Sequence, residues 1–173
     1  GIKRLSIGIQ SFLDHELVSM NRNHTAAQAI SAVHEAQNTG ITNISIDLMF
    51  GFPDSSIEQW RQNIEQALQL ETPHISCYNL TIEPKTALEY MVRKGKVTPP
   101  DEAVAATQYE LLIDMLESNG FQHYEISNFA KEGFISRHNS SYWLGNKYLG
   151  IGPSAHSYNG TERRWNISNN VHY

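Results

Sequence analysis

Four side chains, Gln10, Asp47, Asn79 and Thr81, stand where chemistry could be done. Each lies at or just past the carboxyl end of a segment rich in β-branched or aromatic residues: RLSIGIQ (4–10), NISIDLM (43–49) and HISCYNL (74–80). An amide, a carboxylate and a hydroxyl held at one sheet edge can grip a polar ligand, and parallel α/β sheets and barrels bind ligands at that edge. Alternation sharpens the point. Ile7 and Ile9 point one way while Ser6, Gly8 and Gln10 point the other; Ile44, Ile46 and Leu48 oppose Asn43, Ser45 and Asp47. A packed barrel interior would turn Val, Ile and Leu inward. A small, polar inward face predicts a cavity instead. Taken singly, each residue also has a structural role open to it: Gln10 as a helix cap, Asp47 as an ion partner of Arg22, Asn79 as a turn residue. Three polar strand ends in register weigh toward a ligand site, because a buried polar group without a partner costs about 1–3 kcal/mol.

The elements that must position these groups alternate. Residues 25–38 carry Ala26, Ala29, Ile30, Val33 and Ala36 at helical spacing, with Gly40 as the stop. Ser55 or Ser56 caps the next helix; Ser55 with Glu58 has capping-box spacing, and Ile57, Trp60, Ile64, Ala67 and Leu68 form the apolar stripe. Strand and helix in alternation predict βαβ units and neighbouring parallel strands. Beyond residue 84 the character changes. Residues 83–100 read as a loop with a short helix at 87–94, residues 101–118 as a helix, and residues 121–126 as a strand. From Phe134 on, the chain is rich in Gly, Asn, Ser and aromatics, with strands expected near 148–151 and 163–167.

The 173 residues suit one domain or part of a larger one, and 40% hydrophobic content supports a core. A net charge of −5 without Lys/Arg runs argues against nucleic acid and anionic membrane surfaces as partners. No run approaches the roughly 18 apolar residues of a spanning helix, and no basic-then-apolar leader opens the sequence, so the cytoplasm is the expected address. The single cysteine, Cys77, excludes an internal disulfide and an all-Cys metal site within the chain.

The runs RLSIGIQSF, NISIDLMFGFP, HISCYNLTIEP, HYEISNFA, RHNSSYW and YLGIGPSAHS, in that order, resemble radical S-adenosylmethionine (SAM) proteins of the oxygen-independent coproporphyrinogen III oxidase family. The HNSSYW element at 138–143 and the YEISNFA stretch resemble its haem-chaperone (HemW-type) branch rather than the decarboxylating oxidase. The resemblance implies an α/β fold: part of an incomplete (β/α) barrel with parallel strands, then a smaller mixed C-terminal region. Residues 1–84 are expected to supply the C-terminal half of the barrel, and residues 85–173 the linker, a helix and the start of that region. The family holds a four-iron, four-sulfur (4Fe-4S) cluster through a CxxxCxxC motif that this chain lacks, so the cluster's ligands are expected outside it. Cys77 then reads as a core residue.

Individual positions carry over. The resemblance implies SAM contacts from Gln10, Arg22, Asp47 and, more weakly, Thr81, with Gly51 allowing close backbone approach. A guanidinium can fork onto the methionyl carboxylate, and Asp can accept from an ammonium or from ribose hydroxyls. His138 is a candidate haem ligand, with Tyr142 and Trp143 as flat walls; a loop-satisfying role competes for it. His156 is a second candidate that the resemblance also places near the nucleotide. The expected partners are haem or a porphyrinogen and a haem-acceptor protein, with peripheral membrane association through that acceptor. The rival expectation is the oxidase itself, in which a SAM-derived radical drives propionate decarboxylation. A third reading is a barrel lyase or hydrolase with Asp47 and Glu83 as a carboxylate pair.

Overall fold

A computed structural model describes residues 1–173. Contacts divide it into two compact units, Gly1–Ile135 and Ser136–Tyr173.

The first unit is built on a five-stranded sheet. Its strands are β1 (Leu5–Gln10), β2 (Ile44–Phe50), β3 (His74–Asn79), β4 (Gln122–Glu125) and β5 (Asn128–Ala130). They lie in the order β1-β2-β3-β5-β4. The first three strands are parallel, as the alternation of strand and helix predicts, and β5 joins β3 antiparallel. The sheet is mixed and does not close into a barrel.

Its helices are α1 (Asp14–Ser19), α2 (Ala26–Asn38), α3 (Ile57–Gln69), α4 (Ala87–Arg93) and α5 (Glu102–Ser118). Thr25 caps α2 in a capping box with Gln28. The cap of α3 falls one residue later than the Ser55/Glu58 spacing predicted: Ser56 and Gln59 form the box. Gln59 reaches back to the Ser56 amide at 2.9 Å, and this frees the Ser55 hydroxyl for a task described below.

One face of the sheet is dry. Ile7, Ile46, Ile75 and Phe129 form a row across β1, β2, β3 and β5. Behind it lie Val33 of α2, Trp60, Ile64 and Ala67 of α3, and Leu112 and Leu116 of α5. Trp60 is 1% exposed; its ring tilts against Phe50 at 5.5 Å, and its indole N–H donates to the Gln108 carbonyl at 2.9 Å. Cys77 lies on this face beside Leu48, fully inside, where burial pushes its thiol pKa up. It is a core residue.

The second unit contains α6 (Arg137–Trp143) and a hairpin of β6 (His156–Tyr158) and β7 (Arg163–Trp165). The strand expected at 148–151 reduces to one bridge, Tyr148 with Tyr158. Gly150 explains why the chain runs so close there: a Cβ on it would fall within 2.1 Å of the His156 carbonyl oxygen. The Asn159 side chain shapes the hairpin turn by accepting from the amides of Thr161 and Glu162.

Candidate functional site

The other face of the sheet is polar and pairs in register. Gly8, Asp47, Ser76, Asn128 and Glu125 form one lateral row across all five strands. Hydrogen bonds run along it. Ser76 donates to the Asn128 carbonyl oxygen at 2.7 Å, and the Asn128 amide donates to Glu125. The Ser6 hydroxyl lies 3.3 Å from the Asp47 carboxylate. Burial raises the Asp47 pKa, against the pull of the Ser76 and Ser6 hydroxyls and the Arg4 charge. A half-buried carboxylate pushed that way gains from a donor or a cation brought to it.

Gln10 sits above this row. The register shifts between Gly8 and Gln10, so Gln10 pairs with Leu48, and its φ is +72°. A non-glycine residue in that region carries about 1–2 kcal/mol of strain. The result is that the Gln10 side chain folds back over Gly8: a Cβ on Gly8 would meet its amide nitrogen at 2.7 Å. Gly8 is the in-register partner of Asp47, so the amide of Gln10 and the carboxylate of Asp47 share one face and one end of the sheet.

At the carboxyl ends of β2 and β3 opens a cleft of about 690 Å³. Arg22 and Thr81 both line it, with Met49, Phe52 and Glu83. Met49 lies two residues beyond Asp47 on the same face, so the cleft, mostly apolar in its lining, adjoins the polar face at its carboxyl end. Arg22 takes part in none of the ion pairs, which are Arg61–Glu58, Arg93–Glu89 and Arg164–Glu162. The Asp47–Arg22 pair considered from sequence does not form. Thr81 donates to Glu83 at 3.2 Å. The acid pair suggested for a lyase or hydrolase divides: Glu83 lines the cleft, whereas Asp47 faces Ser6 and Ser76.

Asn79 leaves the group. It pairs with Phe50, which places it on the Cys77 side of the sheet, in a separate depression with Tyr109 and Glu102. Gly51, at φ +75°, turns the chain tightly past it: a Cβ there would fall 2.2 Å from the Asn79 side-chain oxygen. The role of Gly51 here is conformational.

At the amino end of the polar face, His74 is buried and bonded through both ring nitrogens, to Ser45 Oγ at 2.7 Å and to the Tyr124 hydroxyl at 2.8 Å. Burial, helped by the Arg4 charge, lowers its pKa from 6.5 to about 4. Between those values the unfolded chain holds more protons than the folded one, so stability rises with pH across the window and is lost as pH falls through it. At about 1.4 kcal/mol per unit the loss is at most about 3.5 kcal/mol. Urea unfolding at pH 7 and pH 4.5 is expected to give a smaller difference for His74→Gln than for the native chain. An identical pH difference in both would mean that His74 is not the titrating group.

In the second unit, His138 occupies the first turn of α6, with Tyr142 one turn on. The two rings meet edge to face at 5.2 Å, and Tyr142 packs in the same manner on Tyr148 at 5.0 Å. Tyr142 and Trp143 are exposed. His156 tilts over Trp165 at 6.1 Å. The helix at 137–143 was hidden in a stretch that reads as loop, and Ser136 caps it. No group of three or more His, Cys, Asp or Glu side chains is gathered as a metal site, and no helix is long and apolar enough to cross a membrane.

Parallel βαβ units, a polar sheet face and a cleft at the strand ends define an α/β protein with an open mixed sheet. Comparison with known proteins agrees. The chain is 39% identical to haem chaperone HemW of Bacillus subtilis over all 173 residues, which is 46% of that protein. It is 39% identical over 156 residues to the mitochondrial radical S-adenosyl methionine domain-containing protein 1 of Danio rerio, covering 90% of this chain and 35% of that one. Its backbone superimposes on coproporphyrinogen III oxidase of Escherichia coli, described as a radical SAM enzyme, with a TM-score of 0.78 at 21% identity, over 100% of this chain and 42% of the other. No protein-family model matches. In sequence the chain is similar to HemW haem chaperones and to radical S-adenosyl methionine domain-containing protein 1, and it shares the fold of coproporphyrinogen III oxidase. It spans about half the length, or less, of the curated relatives it matches.

Proposed function

We propose that this chain is a stretch of a radical-SAM-family haem chaperone, in which SAM binds at the sheet's carboxyl edge and haem is held for transfer to an acceptor protein. Residues 1–84 contribute barrel and residues 85–173 the linker, helix and start of the C-terminal region. The observation that carries the reading is the convergence of the Gln10 amide and the Asp47 carboxylate on one face, beside a cleft that Arg22 lines.

That donor set suits a zwitterionic amino acid joined to a nucleoside. Arg22 meets a carboxylate with a planar fork, and Asp47 accepts from an ammonium or from hydroxyls. Gln10 offers one donor and one acceptor. Bound SAM would supply a methionyl chelate for a 4Fe-4S cluster. This chain's residues do not suit the cluster itself: Cys77 is alone and buried among hydrophobic side chains. Its ligands belong to another part of the protein. In the second unit an exposed imidazole beside aromatic rings packed edge to face suits an iron porphyrin, with His138 as ligand and Tyr142 and Trp143 as walls. The cytoplasm is the proposed compartment, and any membrane association runs through the acceptor.

Haem titration of the full-length protein tests this reading. The native protein is expected to bind haem, and His138→Ala to bind about tenfold more weakly, as loss of an axial ligand would require. An unchanged titration removes His138 from the site. Anaerobic incubation with SAM, reductant and coproporphyrinogen III is expected to yield no decarboxylated product; conversion would establish the oxidase reading instead.

A further inference from the structure

Of all the Asp, Glu, Lys and Arg side chains, Glu16 alone is buried, at 4% exposure. It has no ion-pair partner. Neutral donors surround it instead: the Ser11 hydroxyl, the Asn63 amide at 3.2 Å and, more distantly, the Ser55 hydroxyl at 3.5 Å. An unpaired charge is seldom kept inside a protein, because desolvation opposes it and Coulomb attraction does not compensate. Its retention calls for a reason, and the bonds around it supply one.

Glu16 stands between the two loops that rim the cleft. On one side, its own backbone carbonyl accepts from Ser19 Oγ at 2.7 Å and from the Met20 amide at 3.1 Å, and the next carbonyl, that of Leu17, accepts from the Arg22 amide at 2.9 Å. The segment that presents Arg22 is thus fixed to the helix that carries Glu16. Ser11 and Asn63 extend the hold backward, Ser11 accepting from the Leu13 amide and Asn63 from the Phe12 amide at 2.6 Å. On the other side, Ser55 accepts from the Gln108 side-chain amide at 3.1 Å, and the Oε1 of the same side chain accepts from the Gly51 amide at 2.8 Å. That second loop contributes Phe52, Pro53 and Asp54 to the cleft.

We infer that Glu16 is a positioning residue: its buried carboxylate couples the loop bearing Arg22 to the loop that opens at Gly51, so that the two rims of the cleft hold one geometry and move as one body. The inference about the loops stands on these bonds alone; its consequence for ligand affinity rests on the proposed SAM site.

Two measurements separate these parts. Hydrogen exchange on the full-length protein reports on the coupling. In Glu16→Gln, which keeps the volume but removes the charge, the amides of Phe12 and Gly51 are expected to exchange roughly tenfold faster together. A change confined to Phe12, or none, overturns the inference. Should Glu16→Gln fail to fold, Ser55→Ala interrupts the same chain at its midpoint and is expected to accelerate Gly51 while leaving Phe12 protected; protection unchanged at Gly51 is equally fatal. The second measurement is calorimetric titration with S-adenosylhomocysteine. Affinity is expected to fall about tenfold in Glu16→Gln, and Arg22→Ala to cost much less in that background than in the native one. Fully additive losses would show that Glu16 acts only on stability. If the native protein binds no S-adenosylhomocysteine, the proposed SAM site fails, and the exchange result still decides the coupling.

Discussion

Truncating Trp60 to alanine is expected to lower folding stability by about 4 kcal/mol, near the middle of the range for a buried tryptophan. Two losses combine. The indole fills the space between α3, Phe50 and α5, so a large cavity opens where three elements meet. Its N–H also satisfies the Gln108 carbonyl at 2.9 Å, which would be left inside without that donor. For a chain of this size the melting temperature should drop by roughly 10 °C. Trp60→Phe retains most of the volume and loses only the hydrogen bond, so about half the penalty is expected. Chemical denaturation of the three proteins checks the order, and a loss below about 1.5 kcal/mol for the alanine variant would mean that the helices close over the gap.

A second large effect concerns Arg22. Because Arg22 is free of ion pairs and lines the cleft, alanine at this position should be well tolerated in folding and poorly tolerated in binding. Removing one member of a charge-assisted pair costs about 2 kcal/mol or more, so S-adenosylhomocysteine affinity of the full-length protein is expected to weaken about 30-fold. Arg22→Lys keeps the charge but loses the planar fork, and an intermediate loss is expected. Calorimetry that finds all three proteins equal would strip Arg22 of its assigned contact.

Much of this architecture could be read from residue order alone, because three strands and their covering helices have strong local patterns. The period-2 alternation in 4–10 and 43–49 placed the isoleucines against the helices and the small polar residues opposite them, as the burial confirms for Ile44, Ile46 and Leu48. The apolar spacing within 25–38 announced the helix Ala26–Asn38, and the Thr25 cap emerged only with the structure. What escaped detection depended on non-local facts. The strand Asn128–Ala130 has only three residues, and it forms because β3 and β4 offer it ladders on both sides. Asn79 was grouped with Asp47 because both end strands, yet pairing with Phe50 sends it to the other face. The shift in register before Gln10 worked in the opposite sense and kept that side chain with Asp47. Nothing in the local sequence singled out Glu16; its burial depends on Asn63 and Ser55, which are 47 and 39 positions away.

The fold-back of Gln10 ties two positions into a single inherited unit. A methyl at Gly8 would enter the space in which the amide rests, so the flexible end of the Gln10 side chain would have to swing away from the Asp47 row. Substitutions at Gly8 should therefore be felt first in where the side chain at position 10 rests, so the residues tolerated at either position depend on what occupies the other.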